Sequence, residues 1–174
     1  ITTVSNLRGT FWPTPIVRAF APKTARHLEE NYRFHEPPTL TLNGAFTGKI
    51  DRPQDTAFNI AISTEDQTDY PFLGRILPTT QMRADVTMRG YDLEIERLAF
   101  ATLEGVVGGK VSVQISPKNM TRYQGELQWD RISFPELSKV YRFDEVEEGT
   151  LNGRINFSGG GGEIRNFNAR GALG

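Results

Sequence analysis

Residues 91–128 read YDLEIERLAFATLEGVVGGKVSVQISPKNMTRYQGELQ. Leu98 and Phe100 alternate with Ala99 and Ala101, and Val111, Val113 and Ile115 alternate with Lys110, Ser112 and Gln114. Tyr123, Leu127 and Trp129 then alternate with Arg122, Gln124, Glu126 and Gln128. A period of two sends successive side chains to opposite faces of a pleated sheet, so one face is apolar and the other wet. The separators, Glu104-Gly105 through Gly108-Gly109 and Pro117-Lys118-Asn119, suit antiparallel neighbours and are too short for parallel crossovers. The stretch predicts a meander. Leu93 and Ile95 lie out of phase with Leu98 and Phe100, which predicts a bulge near Arg97 that restores the face.

The same pattern extends both ways. Upstream, Phe58, Ile60 and Ile62 make a one-sided strand, and Met82, Ala84, Val86 and Met88 alternate with Arg83, Asp85, Thr87 and Arg89. Leu40, Leu42 and Phe46 share a face in a run launched by Glu36-Pro37-Pro38, where Gly44 marks a bulge or a close approach. Glu65 to Asp69 reads as a solvated hairpin end, Phe72, Gly74 and Ile76 as one face of the next strand, and Pro78 as a turn. Ile1 to Arg8 is a first strand, broken by Gly9 and Trp12-Pro13-Thr14-Pro15. Ala25, Leu28 and Tyr32 recur at helical spacing after Pro22, which predicts a short helix over 22–32. Downstream, Ser133-Phe134-Pro135-Glu136 is a capping-box pattern that opens a second short helix ending near Phe143. Leu151, Ile155 and Phe157 share a face of another strand, the run from Gly159 to Gly162 is a flexible turn, and residues 163–173 form the last strand.

The expected fold is therefore mainly β. It is a long curved antiparallel meander, an open groove or half-closed barrel, with two short helices in one domain. Residues 1–36 lead in with a strand and helix, 37–130 form the meander, 131–148 the helical connection and 149–174 the terminal strands. About nine strands of ~8 residues give a sheet on the order of 1,100 Å² per face, whereas two ten-residue helices cover only about 300 Å². The sheet must curl over itself or leave an apolar trough for a ligand or a further segment.

Composition agrees with a thin, surface-rich body: 37% of the 174 residues are hydrophobic and 24% charged, with 17 glycines. The formal net charge is −1, with no basic run to favour nucleic acid. The lack of cysteine excludes a disulfide framework and thiolate metal sites. No apolar run is long enough to span a bilayer as a helix. Beginning at Ile1 inside a strand-like pattern and ending on GALG, the sequence reads as one section of a longer chain, whose anchor and targeting signal would lie outside it.

The run LEIERLAFATLEGVVGGKVSVQIS, the strand ending in Trp129, the helix FPELSKVYRF and the returning GTLNGRINFSGGGGEIRNFNARGALG resemble the AsmA-like family. That family groups with TamB and YhdP among bridge-like lipid-transport proteins of the Gram-negative envelope. The resemblance spans roughly residues 37–174 and is one of pattern and spacing. It implies a repeated β-groove anchored at the inner membrane by an N-terminal helix, crossing the periplasm with lipid tails shielded in its concave face. It implies no catalytic residues, cofactor or metal. The helix over 22–32 has no place in the family pattern.

The implied ligand is a phospholipid or other acyl-chain lipid, held by Phe58, Ile60, Ile62, Val86, Met88, Leu98, Phe100, Val111, Val113, Ile115, Tyr123, Leu127, Trp129, Leu151, Ile155 and Phe157. The implied role is phospholipid transport between inner and outer membrane, or envelope assembly. A non-catalytic structural module without a lipid ligand is the alternative, and edge-to-edge self-association is a further expectation. No nucleophile, base and orienter recur at a recognisable spacing, so no enzyme is predicted.

Other candidates have plainer readings. His27 and His35 read as solvated, since no ligand set converges on them. Gly105, Gly108 and Gly109 before Lys110 lack phosphate-loop spacing and read as a tight hairpin. Asp144, Glu145, Glu147 and Glu148 read as a solvated cluster rather than a calcium site.

Overall fold

In the computed structural model the described residues are 1–20, 25–26, 29–30, 32–46, 55–72, 74–116, 120–143, 148–161 and 166–174. The chain folds as a curved, open antiparallel meander. Strand β1 (Thr2–Thr10) is followed by helix α1 (Pro13–Phe20), the short β2 (Arg33–Phe34), β3 (Thr39–Phe46), β4 (Ala57–Thr64), β5 (Thr68–Phe72), the long β6 (Arg75–Arg89) and β7 (Asp92–Thr102). Then come β8 (Gly105–Gln114), β9 (Arg122–Ser133), helix α2 (Phe134–Tyr141), β10 (Thr150–Gly160) and β11 (Asn168–Leu173). The sheet runs β1-β3-β4-β6-β7-β8-β9-β10-β11, with β2 and β5 off this path. β1 and β11 lie at opposite edges, so the sheet does not close.

The hydrophobic period is realised as register. Ile60 opposes Val86, Val86 opposes Ile95, Ile95 opposes Val111, Val111 opposes Gly125 and Gly125 opposes Phe157. Directly opposed residues project to the same side of a sheet, so this row is one unbroken apolar line. The bulge expected near Arg97 is present: the β7–β8 register shifts between Ile95 and Leu98, and Arg97 adopts φ 50°. It returns Leu98 and Phe100 to the face of Leu93 and Ile95. Asn6 and Arg131 occupy similar left-handed positions where β1 and β9 carry an extra residue. Their N–H groups donate to the side-chain oxygens of Asn43 and Asn152 across the strand pair, at 2.7 and 2.8 Å. Cross-strand asparagines thus satisfy donors that the bulges leave unpaired.

Several local expectations are corrected. Glu65 to Asp69 is not a hairpin end: β4 and β5 both pair with β6, Thr64 opposite Met82 and Thr68 opposite Thr79, so the two run end to end along one partner. The hairpin closes instead at Gly74, with φ 77°, which removes that glycine from any strand face. Pro78 lies inside β6 rather than turning the chain. Its carbonyl accepts from Thr102 Oγ1 at 2.7 Å on the β7 side, so its missing N–H falls on that side too, before the β6–β7 ladder begins at Thr80. Leu103 and Glu104, with φ 47° and 62°, make the β7–β8 turn. Two left-handed residues match the twist of the flanking strands, and Gly105, Gly108 and Gly109 are part of β8 itself. Gly159 and Gly160 likewise continue β10, and Gly161, the last described residue of that run, turns with φ 63°.

Pro13 and Pro15 begin helix α1 rather than breaking structure, because a helix's first turn does not need their N–H groups. Within the 22–32 span Ala25, Arg26, Glu29 and Glu30 are helical, Tyr32 is not, and the rest lies outside the described residues, as do 117–119, 144–147 and 162–165. Helix α2 is capped as its sequence indicates, with Ser133 Oγ accepting from the Glu136 N–H at 3.4 Å. The reciprocal bond does not form: the Ser133 N–H donates to Leu103 O at 2.8 Å, and the Glu136 carboxylate pairs with Lys139. The helix ends two residues early because Arg142 turns left-handed, with φ 57°.

Candidate functional site

All sixteen apolar residues singled out in the sequence are strand or strand-end positions, and every one is half-buried. The buried hydrophobic residues are others: Ala25, Leu40, Leu42, Leu77, Ala84 and Ile132. Register gathers the sixteen on one side of the sheet. Phe58 opposes Met88, Met88 opposes Leu93, Leu93 opposes Val113 and Val113 opposes Tyr123. Leu98 opposes Gly109, Gly109 opposes Leu127 and Leu127 opposes Ile155; Phe100 opposes Val107, which opposes Trp129. Ile115 extends the lane by donating its N–H to Tyr91 O at 2.8 Å, and Leu151 joins it opposite Ile132. No row contains a charged side chain.

Glycines on this face are seats for large neighbours. A Cβ at Gly125 would lie 2.6 Å from the Phe157 ring, at Gly153 2.5 Å from the Trp129 indole, and at Gly159 2.5 Å from the Tyr123 ring. The rings lie down on the backbone there, which flattens the face and shields strand positions that lack a side chain. Tyr123, Phe157 and Phe167 form a contiguous strip, with centroids 6.5 and 6.1 Å apart. Sequence reasoning picked out the large residues and missed the glycines that seat them, although their shared parity was visible once register was known.

The other face is a polar ladder. Asn43, Asn59, Thr87, Glu94, Ser112, Gln124, Ser158 and Asn168 are mutually opposed from β3 to β11. Thr87 Oγ1 donates to Asn59 Oδ1 at 3.1 Å, Ser112 Oγ donates to Glu94, and Arg97 pairs with Asp85. A shallow depression of about 690 Å³ lies on this side over β8 to β11, lined by Lys110, Ser112, Gln124, Glu126, Asn156 and Arg170 among others. Its lining also includes Gly125, Phe157 and Ala169 of the apolar row, and periodicity alone gave no sign of it.

His35 is more constrained than a solvated histidine, since its Nε2 lies 2.9 Å from Asp69 Oδ2. Asp69 also accepts from Gln67 Nε2 at 2.8 Å. These two contacts, Gln67 first, hold its carboxyl below the usual range. Nearby, burial and the Tyr70 ring at 4.9 Å push the Tyr32 hydroxyl well above its ordinary value. His27 lies outside the described residues, as do Asp144, Glu145 and Glu147. Among the described residues no three His, Cys, Asp or Glu side chains converge on a metal-sized site, and no helix is long and apolar enough to cross a membrane.

No family model, curated protein or solved structure matches the chain.

Proposed function

We propose that this chain is a section of a lipid-shielding β-groove in an AsmA-like protein of the Gram-negative envelope. It holds acyl chains of phospholipid on its apolar face and contributes to their transport between inner and outer membrane, or to envelope assembly, without bond chemistry. The setting is the periplasm, with attachment to the inner membrane through segments beyond this sequence. The observation that carries the reading is the uninterrupted apolar lane on an open sheet. The row from Leu42 in β3 to Phe157 in β10 crosses seven strands. At ~4.8 Å per strand it is roughly 29 Å long, nearly twice the ~15 Å depth of one leaflet's hydrocarbon. Each methylene removed from water is worth ~0.8 kcal/mol, so a tail of a dozen methylenes covered on one side gains roughly 5 kcal/mol with no polar contact. A lane without charged side chains holds such a tail equally well along its length, which permits sliding.

Exposed area supports the same reading. The accessible surface is 11754 Å² for 19.5 kDa, against about 8,500 Å² for a compact chain of that mass. Solvent extraction of the purified protein followed by lipid mass spectrometry, with uptake of a fluorescent fatty acid, is the test. Lipid should accompany the wild-type chain and be lost from Val86→Asp and Val113→Asp. A wild-type protein with neither bound lipid nor uptake overturns the proposal in favour of a structural β-module, a reading that the exposed edge at β11 favours.

A further inference from the structure

We infer that β11 is a strand-pairing edge and that in the 174-residue chain its occupant is β11 of a second copy, antiparallel about a two-fold axis through Gly171. This rests on the sheet edge alone and is independent of any lipid. All six residues of β11 are exposed, and among the described residues its strand partner is β10 alone. The side facing outward follows from the pairing. Asn152 and Gly174 exchange two backbone bonds of 2.9 Å each. Antiparallel pairs alternate between bonded and non-bonded, so Arg170 and Ala172, opposite Asn156 and Arg154, turn their backbone groups toward β10. Ala169, Gly171 and Leu173 present theirs to the outside.

The two edges of the sheet are not equivalent. β1 is interrupted by the left-handed Asn6, where its register with β3 shifts between Val4 and Leu7. A bulge of this kind bends an edge away from a flat partner. β11 has no positive-φ residue, no proline and an unshifted register over its whole length. It is the straight edge.

A two-fold axis normal to the sheet keeps the apolar face of one copy continuous with that of the other, so only residues of the same face oppose. With Gly171 on the axis, Gly171 meets its symmetry mate and Ala169 meets Leu173 twice. Two bonds at each of three pairs give about six, using every outward donor and acceptor of the strand. The same register sets Arg170 opposite Ala172. Moving the axis to Arg170 leaves about four bonds and opposes two like charges, which is unfavourable in a cross-strand pair.

The test is the oligomeric state of the chain by sedimentation equilibrium over a concentration series. Wild type should be a monomer–dimer equilibrium. Ala169→Pro removes an outward donor and spares the bonds to β10, so it should abolish the dimer while leaving the far-ultraviolet circular dichroism unchanged. Ala172→Glu would face Arg170 of the other copy and should tighten dissociation by roughly two- to thirtyfold, and Ala172→Arg should weaken it comparably. A wild-type chain that stays monomeric at the highest concentration reached overturns the inference. So does a dimer indifferent to Ala169→Pro or to the sign of the charge at 172, which would place the contact on another surface.

Discussion

At the scale of single residues, the apolar face is built from pairs in which a glycine on one strand receives a ring from the next. Trp129 lies so close over Gly153 that any side chain there must displace it. Gly153→Val should destabilise the fold by about 1–3 kcal/mol, the usual cost of overpacking. It should also shift the Trp129 emission toward that of a solvated indole, read in a Trp12→Phe background because Trp12 is itself exposed. An unchanged urea midpoint and spectrum would mean the indole does not rest on that glycine. The two-faced character is tested at neighbouring positions. Val86→Asp places a charge between Ile60 and Ile95 and should cost about 1–3 kcal/mol. Thr87→Asn, on the ladder beside Asn59 and Glu94, should stay within about 0.5 kcal/mol. A neutral substitution is the proper control, since aspartate at 87 or 112 would oppose Glu94 directly. Equal losses at 86 and 87 would show that both faces are packed.

At the scale of elements, the ends of strands and helices carry the specific polar contacts. Helix α2 closes one end of the sheet: it touches β6 and β9, and Tyr141 Oη donates to Phe72 O at 3.0 Å. Ser133→Ala removes its N-cap acceptor. Because that bond is long, at 3.4 Å, the loss should fall near the lower end of the capping range, about 0.5–1 kcal/mol in thermal or chemical unfolding. The small β2–β5 ladder is pinned at Asp69, which opposes Arg33 and lies against Gln67 and His35. Its carboxyl titrates below the usual value when folded. The stability it contributes is therefore fully present above the unfolded carboxylate pKa of about 3.9 and is lost as pH falls through the lowered folded value. Asp69→Asn should flatten that part of the acid limb when stability is followed from about pH 6 to about pH 2. A wild-type and variant difference that is constant over this range would rule the linkage out.

At the scale of the whole molecule, the consequence of an open sheet is a small buried area. The unfolded chain would expose about 28,000 Å², so unfolding uncovers roughly 16,500 Å² here against roughly 20,000 Å² for a compact chain of the same mass. The urea m-value scales with that difference. It should lie about 15–20% below the value typical of a compact protein of this length. An m-value at or above the compact expectation would indicate that the face is covered in solution, by closure or by association.

What the sequence by itself determined is whatever depends on parity. Side chains two apart share a face whatever the strand pairs with, so the apolar set from Phe58 to Phe157 and the bulge at Arg97 could be read before any partner was known. The cap at Ser133 was legible for a similar reason, because it is completed within four residues. Partner choice and backbone hand were decided only by tertiary structure. That β4 and β5 run end to end along β6, that Pro78 sits where its missing N–H faces no ladder, and that Leu103 and Glu104 rather than the glycines make a turn all depend on strands distant in sequence. The same holds for the glycines beneath Phe157, Trp129 and Tyr123, whose role exists only once register sets each one beside a ring on the next strand. Periodicity is local and fixes which way a side chain points, whereas pairing is a non-local competition among many apolar strands that look alike one at a time.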